Sequence, residues 1–262
     1  MFTYSKRDVS PSRHMEPYSH SRLSIYEQCP HRYRLRYIDG IEMDAMSIEA
    51  FTGSVVHGAL EHLYSRTGGG RSMEPEELVA YMRGLWDELF RDSIFIARRN
   101  ASAAEYELKA EAMLLAYYRR HHPFREGTTV GLEHELRFSI FGTREHDMIG
   151  YVDRITCLGD GVYEIHDYKT GQRLPSPADL RRDRQLALYE IGLRRSLPDV
   201  KEVQLVWHHL AHDRELRSER TKGELEILES ETSALIESIE GCNRFPRRKG
   251  PLCRWCEYSG MC

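Results

Sequence analysis

No apolar run in this chain of 262 residues approaches the roughly 18 residues that a membrane-crossing helix needs. Its first stretch, MFTYSKRDVSPSRHMEP, lacks the apolar core of a secretion signal. A cytoplasmic protein without membrane attachment is therefore expected. A strong positive balance is also lacking: 37 Lys and Arg stand against 41 Asp and Glu, giving a net charge of −4. That excludes a protein that coats nucleic acid by charge alone, but it leaves room for a local basic path. Three runs offer one: Arg32, Arg34 and Arg36; Arg181, Arg182 and Arg184; Arg247, Arg248 and Lys249. Each reads equally as a solvated helix face. Internal repeats and low-complexity segments are absent. Cysteine is scarce, with six residues at 29, 157, 242, 253, 256 and 262. The chain is too large to need disulfide staples, and the close spacing of the last three suggests metal instead. What is present, 40% hydrophobic and 30% charged residues, describes a globular chain of one large domain, or one domain with an appended helical part.

Along the chain, residues 1–20 are polar and aperiodic and are expected to form a loose arm. A helix is predicted from Ser21, interrupted at Pro30, with Leu23, Tyr26, Tyr33 and Tyr37 as core candidates. Residues 50–65 read as a helix, 67–72 as a flexible loop, and 75–97 and 101–121 as two long helices. The period then changes. Residues 130–140 alternate, with Val130, Leu132, Leu136, Phe138 and Ile140 on one face. Two more strands, 148–157 and 162–169, flank a turn at 158–161. A helix over 178–196, a strand over 202–210, a helix over 221–241 and an irregular tail over 242–262 complete the order. The expected fold is α/β, a mixed central sheet flanked by helices. It divides into a helical region over 21–125, a core over 126–241 and a Cys-rich tail packed on the N-terminal helix.

The chemistry concentrates at Asp167-Tyr168-Lys169. Side chains alternate along a strand, so Asp167 and Lys169 share a face; alone, the pair could be a surface ion pair. The preceding strand adds Asp153, read as lying on an otherwise apolar face with Tyr151 and Ile155. Two buried carboxylates meeting across a hairpin would repel unless a cation lies between them, and hard oxygen ligands suit Mg²⁺ or Mn²⁺. Such an ion would polarise a phosphodiester and acidify a bound water. Lys169 would orient that water or neutralise charge developing in the transition state.

The pairing of Gly150-Tyr151-Val152-Asp153 with Asp167-Tyr168-Lys169-Thr170-Gly171 resembles the PD-(D/E)XK nuclease superfamily. It is more closely similar to the RecB-like branch, which includes AddB nuclease domains and CRISPR-associated RecB-like exonucleases. The second acid is Asp where Glu is commoner in the family. The resemblance, carried over residues 21–262, implies Asp153, Asp167, Lys169, Gln185 and Tyr189 as catalytic residues. It implies His57, Asp153, Asp167 and the Tyr168 carbonyl as ligands of Mg²⁺ or Mn²⁺. Cys29, Cys253, Cys256 and Cys262 resemble the split 4Fe-4S site of the iron–sulfur members. Four thiolates would equally suit zinc, and Cys242 is a rival fourth ligand. The implied activity is hydrolysis of DNA, single-stranded or with overhangs. CRISPR prespacer trimming beside an integrase complex is one setting, repair or recombination another. A catalytically silent DNA-binding subunit and a zinc-ribbon protein with an unrelated core are rivals.

Several residues stay open. Glu133 or Glu135 could add a metal ligand or be strand surface. Tyr26, His31, Arg32 and Tyr33 could grip single-stranded DNA or pack within helices. Cys157 reads as a buried small apolar residue, His208 and His209 as the end of a strand, and Trp255 as a shield beside the cysteines.

Overall fold

The computed structural model describes residues 4–6 and 16–262. Most of the expected arm lies outside the described residues, but its described parts are built into the fold. Residues Tyr4–Lys6 form strand β1, antiparallel to β2 at Ile41–Met43. Tyr18 is buried at 3% exposure, and its backbone bridges the central sheet through Asp147 and Ile149.

Helix α1, His20–Gln28, starts where the Ser19 hydroxyl accepts the Arg22 amide N–H. It stops before Pro30, which opens the short helix α2, Pro30–Tyr33, at the first-turn position it tolerates. A π-helical turn over Arg34–Ile38 continues it. Strand β3 (Met46–Ser47) leads into helix α3, Ile48–Gly68, which extends into the expected loop. Helix α4 runs Pro75–Leu89, shorter than the expected 75–97. The chain turns extended at Phe90 and pairs Ile94–Phe95, β4, with β3. Apolar spacing at Ile94 and Ile96 continued the helical pattern beyond the true end. Helix α5 is Ala103–His121.

The central sheet has five strands in chain order: β5 (Thr128–Phe141), β6 (Glu145–Gly159), β7 (Val162–Lys169), β8 (Glu202–His209) and β9 (Arg214–Ser218). The pair β7–β8 is parallel and the others antiparallel, so the sheet is mixed as expected. The β6–β7 turn has positive φ at Gly159, Asp160 and Gly161, which the Leu-Gly-Asp-Gly run supplies. The parallel crossover contains α6 (Pro177–Arg181) and α7 (Arg184–Ser196), two helices where one was expected. Helix α8 is Lys222–Glu240. Strand β9 was not legible, because Glu215 and Arg217 pair with each other instead of presenting an apolar alternation.

Two cores sandwich the sheet. One joins Leu136, Phe138, Ile140, Val152, Ile165, Leu205 and Trp207 to α1, α7 and α8. The other fills the space among α3, α4 and α5 and reaches Tyr168 and Leu210. The single face expected for β5 breaks: Val130 is half-exposed and Leu132 joins the helical core. The register shifts between Thr129 and Gly131, and Glu133 has φ of 40°. Such an irregularity redirects the side chains on one side of it. Among the described residues no helix is long and apolar enough to cross a membrane.

Candidate functional site

Strands β6 and β7 remain paired as far as Arg154 and His166. Asp153 comes next, and its Oδ2 accepts the backbone N–H of Tyr168 at 2.7 Å. Its Oδ1 then lies 3.4 Å from His57 Nδ1, which is delivered by α3. His57 Nε2 donates to the Tyr168 carbonyl at 2.7 Å, which leaves Nδ1 facing the carboxylates. Glu133 Oε1, turned inward by the irregular stretch of β5, stands 4.0 Å from the same Nδ1. One ligand atom from each of His57, Glu133 and Asp153 lies within 4.8 Å of the other two. Asp153 does not share an apolar face with Ile155: Ile155 is buried, whereas Asp153 is half-buried near Tyr151, which is 51% exposed. Glu135 is occupied on the outside by Arg137 (2.6 Å) and the Tyr151 hydroxyl (2.8 Å).

The second half of the site is a relay from β7 to α7. Lys169 Nζ donates to Asp167 Oδ1 at 3.0 Å and to Gln185 Oε1 at 2.8 Å. Gln185 Nε2 donates to the Tyr189 hydroxyl at 3.2 Å, one helical turn on. Asp183 caps this helix by accepting the Leu186 N–H. Tyr189 packs close against β6 because residue 150 is glycine; a Cβ there would sit 2.4 Å from the ring.

Burial alone would depress the His57 imidazole, but its bond to Asp153 and the charges of Asp153 and Asp167 raise it to about 9. Asp167 is pushed up to about 6 by burial, against the pull of Lys169 and with the help of Asp153. Glu133 is raised by burial and by Asp153. Lys169 is raised because Asp167 outweighs its burial. Carboxylates disfavoured as anions by their own surroundings are relieved by an added cation. The buried Asp167 Oδ2 has no hydrogen bond, although Lys169 Nζ is 2.7 Å away. Hard oxygens and one imidazole are a donor set that Mg²⁺ or Mn²⁺ fits. Beside Lys169 an open groove of about 650 Å³ is lined by His20, Arg173, Arg182, Arg184 and His209.

The cysteines lie elsewhere. Cys29 links α1 to α2, and its sulfur accepts the Arg248 N–H at 3.5 Å; Cys253 Sγ accepts the Gly250 N–H at 3.4 Å. The tail is docked by Glu257 on Arg32 (2.7 Å) and by the Tyr258 hydroxyl on the Ile41 carbonyl (2.7 Å). Among the described residues no three thiols lie within 4.8 Å of one another. Cys242 Sγ donates instead to the Arg244 carbonyl at 2.8 Å. Cys157 is half-buried rather than buried. Tyr33 is buried and Tyr26 packs edge-on against it, so these two belong to helix packing.

The sequence reading missed the polar core behind β7. Arg154, 2% exposed, lies over the Tyr64 ring at 4.0 Å and donates to the Tyr168 hydroxyl, Thr156 Oγ1 and His166 Nδ1. The available signal was a basic residue next to Asp153 in an otherwise apolar strand, paired across the hairpin with His166.

The model of the PD-(D/E)XK nuclease superfamily matches residues 17–262. No curated protein matches the chain. Among solved structures, a Eubacterium rectale protein named "Putative exonuclease" is similar at TM-score 0.51 and 12% identity, covering 94% of this chain and 97% of that one. The protein SSO0001 is similar at TM-score 0.45 and 14% identity, covering 95% and 87%.

Proposed function

Because this chain belongs to the PD-(D/E)XK nuclease superfamily, we propose that it is a metal-dependent deoxyribonuclease acting as an exonuclease on single-stranded DNA or overhangs. The observation that carries this reading is Lys169, held by Asp167 and Gln185 beside the pocket of His57, Glu133 and Asp153. The residues that would hold Mg²⁺ or Mn²⁺ are His57, Asp153 and Asp167, with Glu133 added, and the Tyr168 carbonyl, which His57 already uses as an acceptor. When bound, the ion supplies Lewis acidity and a water of lowered pKa. Lys169 stands where it can hold the attacking water and offset charge gathering on the phosphate. Gln185 and Tyr189 hold Lys169 on station. The groove beside Lys169 carries Arg173, Arg182 and Arg184 together with Glu27, Asp179 and Asp183; burial lowers its histidines, His20 and His209, so phosphate contact there would fall to the arginines. The exonuclease name of the Eubacterium rectale relative supports end-directed cleavage.

By family resemblance, Cys29, Cys253, Cys256 and Cys262 would be the cluster ligands of the iron–sulfur, RecB-like branch, with CRISPR prespacer trimming as one setting and repair or recombination as another. Backbone N–H groups on Cys29 and Cys253 sulfurs suit a 4Fe-4S cluster.

With anaerobically purified protein, end-labelled single-stranded DNA and Mn²⁺, metal-dependent shortening from one end is expected. A folded preparation that leaves DNA intact overturns the proposal. Mn²⁺ is expected to raise the melting temperature of the natural chain and to leave Asp153→Asn unmoved, as scanning calorimetry would report. Cys256→Ala should lose bound iron and visible absorbance; unchanged iron content would remove the cluster assignment. Gly150→Ala should displace Tyr189 and lower kcat by ~10–100-fold, the scale of a misplaced catalytic group, while Mn²⁺ affinity stays constant.

A further inference from the structure

On the helical side of the sheet, behind β7, lies a second group of ligand atoms that the nuclease reading does not use. The last turn of α5 presents His121, β8 presents His208, and β9 presents Glu215. The two imidazole side chains are 4% and 3% exposed. His208 Nδ1 lies 3.7 Å and His121 Nε2 3.9 Å from Glu215 Oε2, and the three atoms all fall within 4.8 Å of one another. Neither ring nitrogen of His121 has a hydrogen-bond partner, which is unusual for so buried a side chain.

The surrounding bonds fix which atoms are free. A guanidinium can only donate, so His166 Nδ1, 3.0 Å from Arg154, is an acceptor. His208 Nε2 stands 3.0 Å from that same acceptor and must carry the proton. Its lone pair is then on Nδ1, directed at a carboxylate. Glu215 uses its other oxygen, Oε1, to accept from Arg217 at 2.6 Å, which leaves Oε2 for the two histidines. His121 has a carboxylate beyond hydrogen-bond distance on each side, Glu126 Oε2 3.7 Å from Nδ1 and Glu215 Oε2 3.9 Å from Nε2; with its proton on Nδ1 it turns the Nε2 lone pair inward. Two lone pairs and a carboxylate oxygen converging in a buried space repel one another unless a cation separates them.

We propose that His121, His208 and Glu215 form a metal site for Zn²⁺, separate from the catalytic centre and completed by a water. Two imidazoles and a carboxylate suit zinc. At ordinary zinc bond lengths the ligand atoms of a tetrahedron stand about 3.4 Å apart, so the three must draw in by a few tenths of an ångström or more. His166 supplies the outer partner that orients the His208 imidazole. The nearest fixed cations are accounted for: Arg217 is shared between Glu215 Oε1 and Glu164, Arg154 is one imidazole away behind His166, and Arg120 is held by Asp213. The ion would clamp α5 to the β8–β9 edge, directly under Tyr168, whose ring lies 5.3 Å from that of His208. This inference does not rest on the nuclease reading.

The test is zinc stoichiometry of the full chain after equilibration with buffered Zn²⁺, for the natural protein, Glu215→Gln and Asp153→Asn. Glu215→Gln keeps size and shape and is checked for folding by circular dichroism. The expected result is that Glu215→Gln binds one zinc fewer, or binds it at least ~100-fold more weakly, and loses the zinc-dependent rise in melting temperature. Asp153→Asn, whatever it loses from the catalytic pocket, keeps the zinc and the rise in melting temperature that Glu215→Gln loses, so adding Glu215→Gln to it removes one zinc more. Cobalt in the same site should show visible d–d bands without thiolate charge transfer. Equal zinc in Glu215→Gln overturns the proposal. So does loss of that zinc in Asp153→Asn, or a thiolate spectrum for it; if Glu215 and His208 are only an imidazolium–carboxylate pair, the first of these results appears.

Discussion

Lys169→Met is expected to slow cleavage of end-labelled DNA by ~10²–10³-fold, about 2.7–4 kcal/mol of transition-state stabilisation, the usual cost of removing one preorganised charge or donor. The loss should appear in kcat, with Mn²⁺ binding retained, because Lys169 contacts Asp167 and Gln185 and is not itself a ligand. Its ammonium is positioned from two sides: Asp167 lies two residues earlier on the same strand, and Gln185 reaches across from α7. Methionine keeps the stem and removes the charge, so a folding defect is not expected. Retention of the natural kcat by this variant would show that the lysine is only a partner of Asp167, and the site assignment would fall.

Arg154→Ala is expected to destabilise the fold by about 3–5 kcal/mol, combining a large cavity with buried acceptors left unmatched. The guanidinium serves Tyr168, Thr156 and His166 and lies over Tyr64. It thereby joins α3, β6 and β7 immediately behind the strand that carries Asp167. Chemical denaturation would measure the loss. A change below about 1 kcal/mol would mean that water can replace the guanidinium in all these contacts, contrary to its 2% exposure. Arg154→Lys should recover only part of the stability, since an ammonium cannot reproduce the planar fork.

Much of the candidate site is legible in the sequence. Asp167 and Lys169 stand out as charges sharing one strand face, Asp153 as an acid on the preceding strand, and family resemblance singled out Gln185 and Tyr189, whose four-residue spacing puts both on one helix face. Their mutual arrangement supports that reading: Lys169 bonds Gln185, and Gln185 bonds Tyr189. His57 was legible only through family resemblance, since nothing in its helix distinguishes it from His62. Glu133 and Glu135 were indistinguishable by alternation, two apart on one strand. The irregular backbone of β5 separates them, and φ of 40° at Glu133 is not written in its residue type.

The succession of main helices and strands as far as β8, the hairpin turn and the strand carrying Asp167 and Lys169 follow from the sequence alone, because periodicity and turn chemistry are local properties of neighbouring residues. So does the presence of a set of thiols at the two ends of the chain. Tertiary structure alone decided which carboxylate joins His57, how Gly150 admits Tyr189, and that Tyr18 and β9 belong to the folded body. It alone brought His121, His208 and Glu215 together from α5, β8 and β9. Those facts depend on distances between segments far apart in the chain, where packing and register, not local pattern, set the geometry.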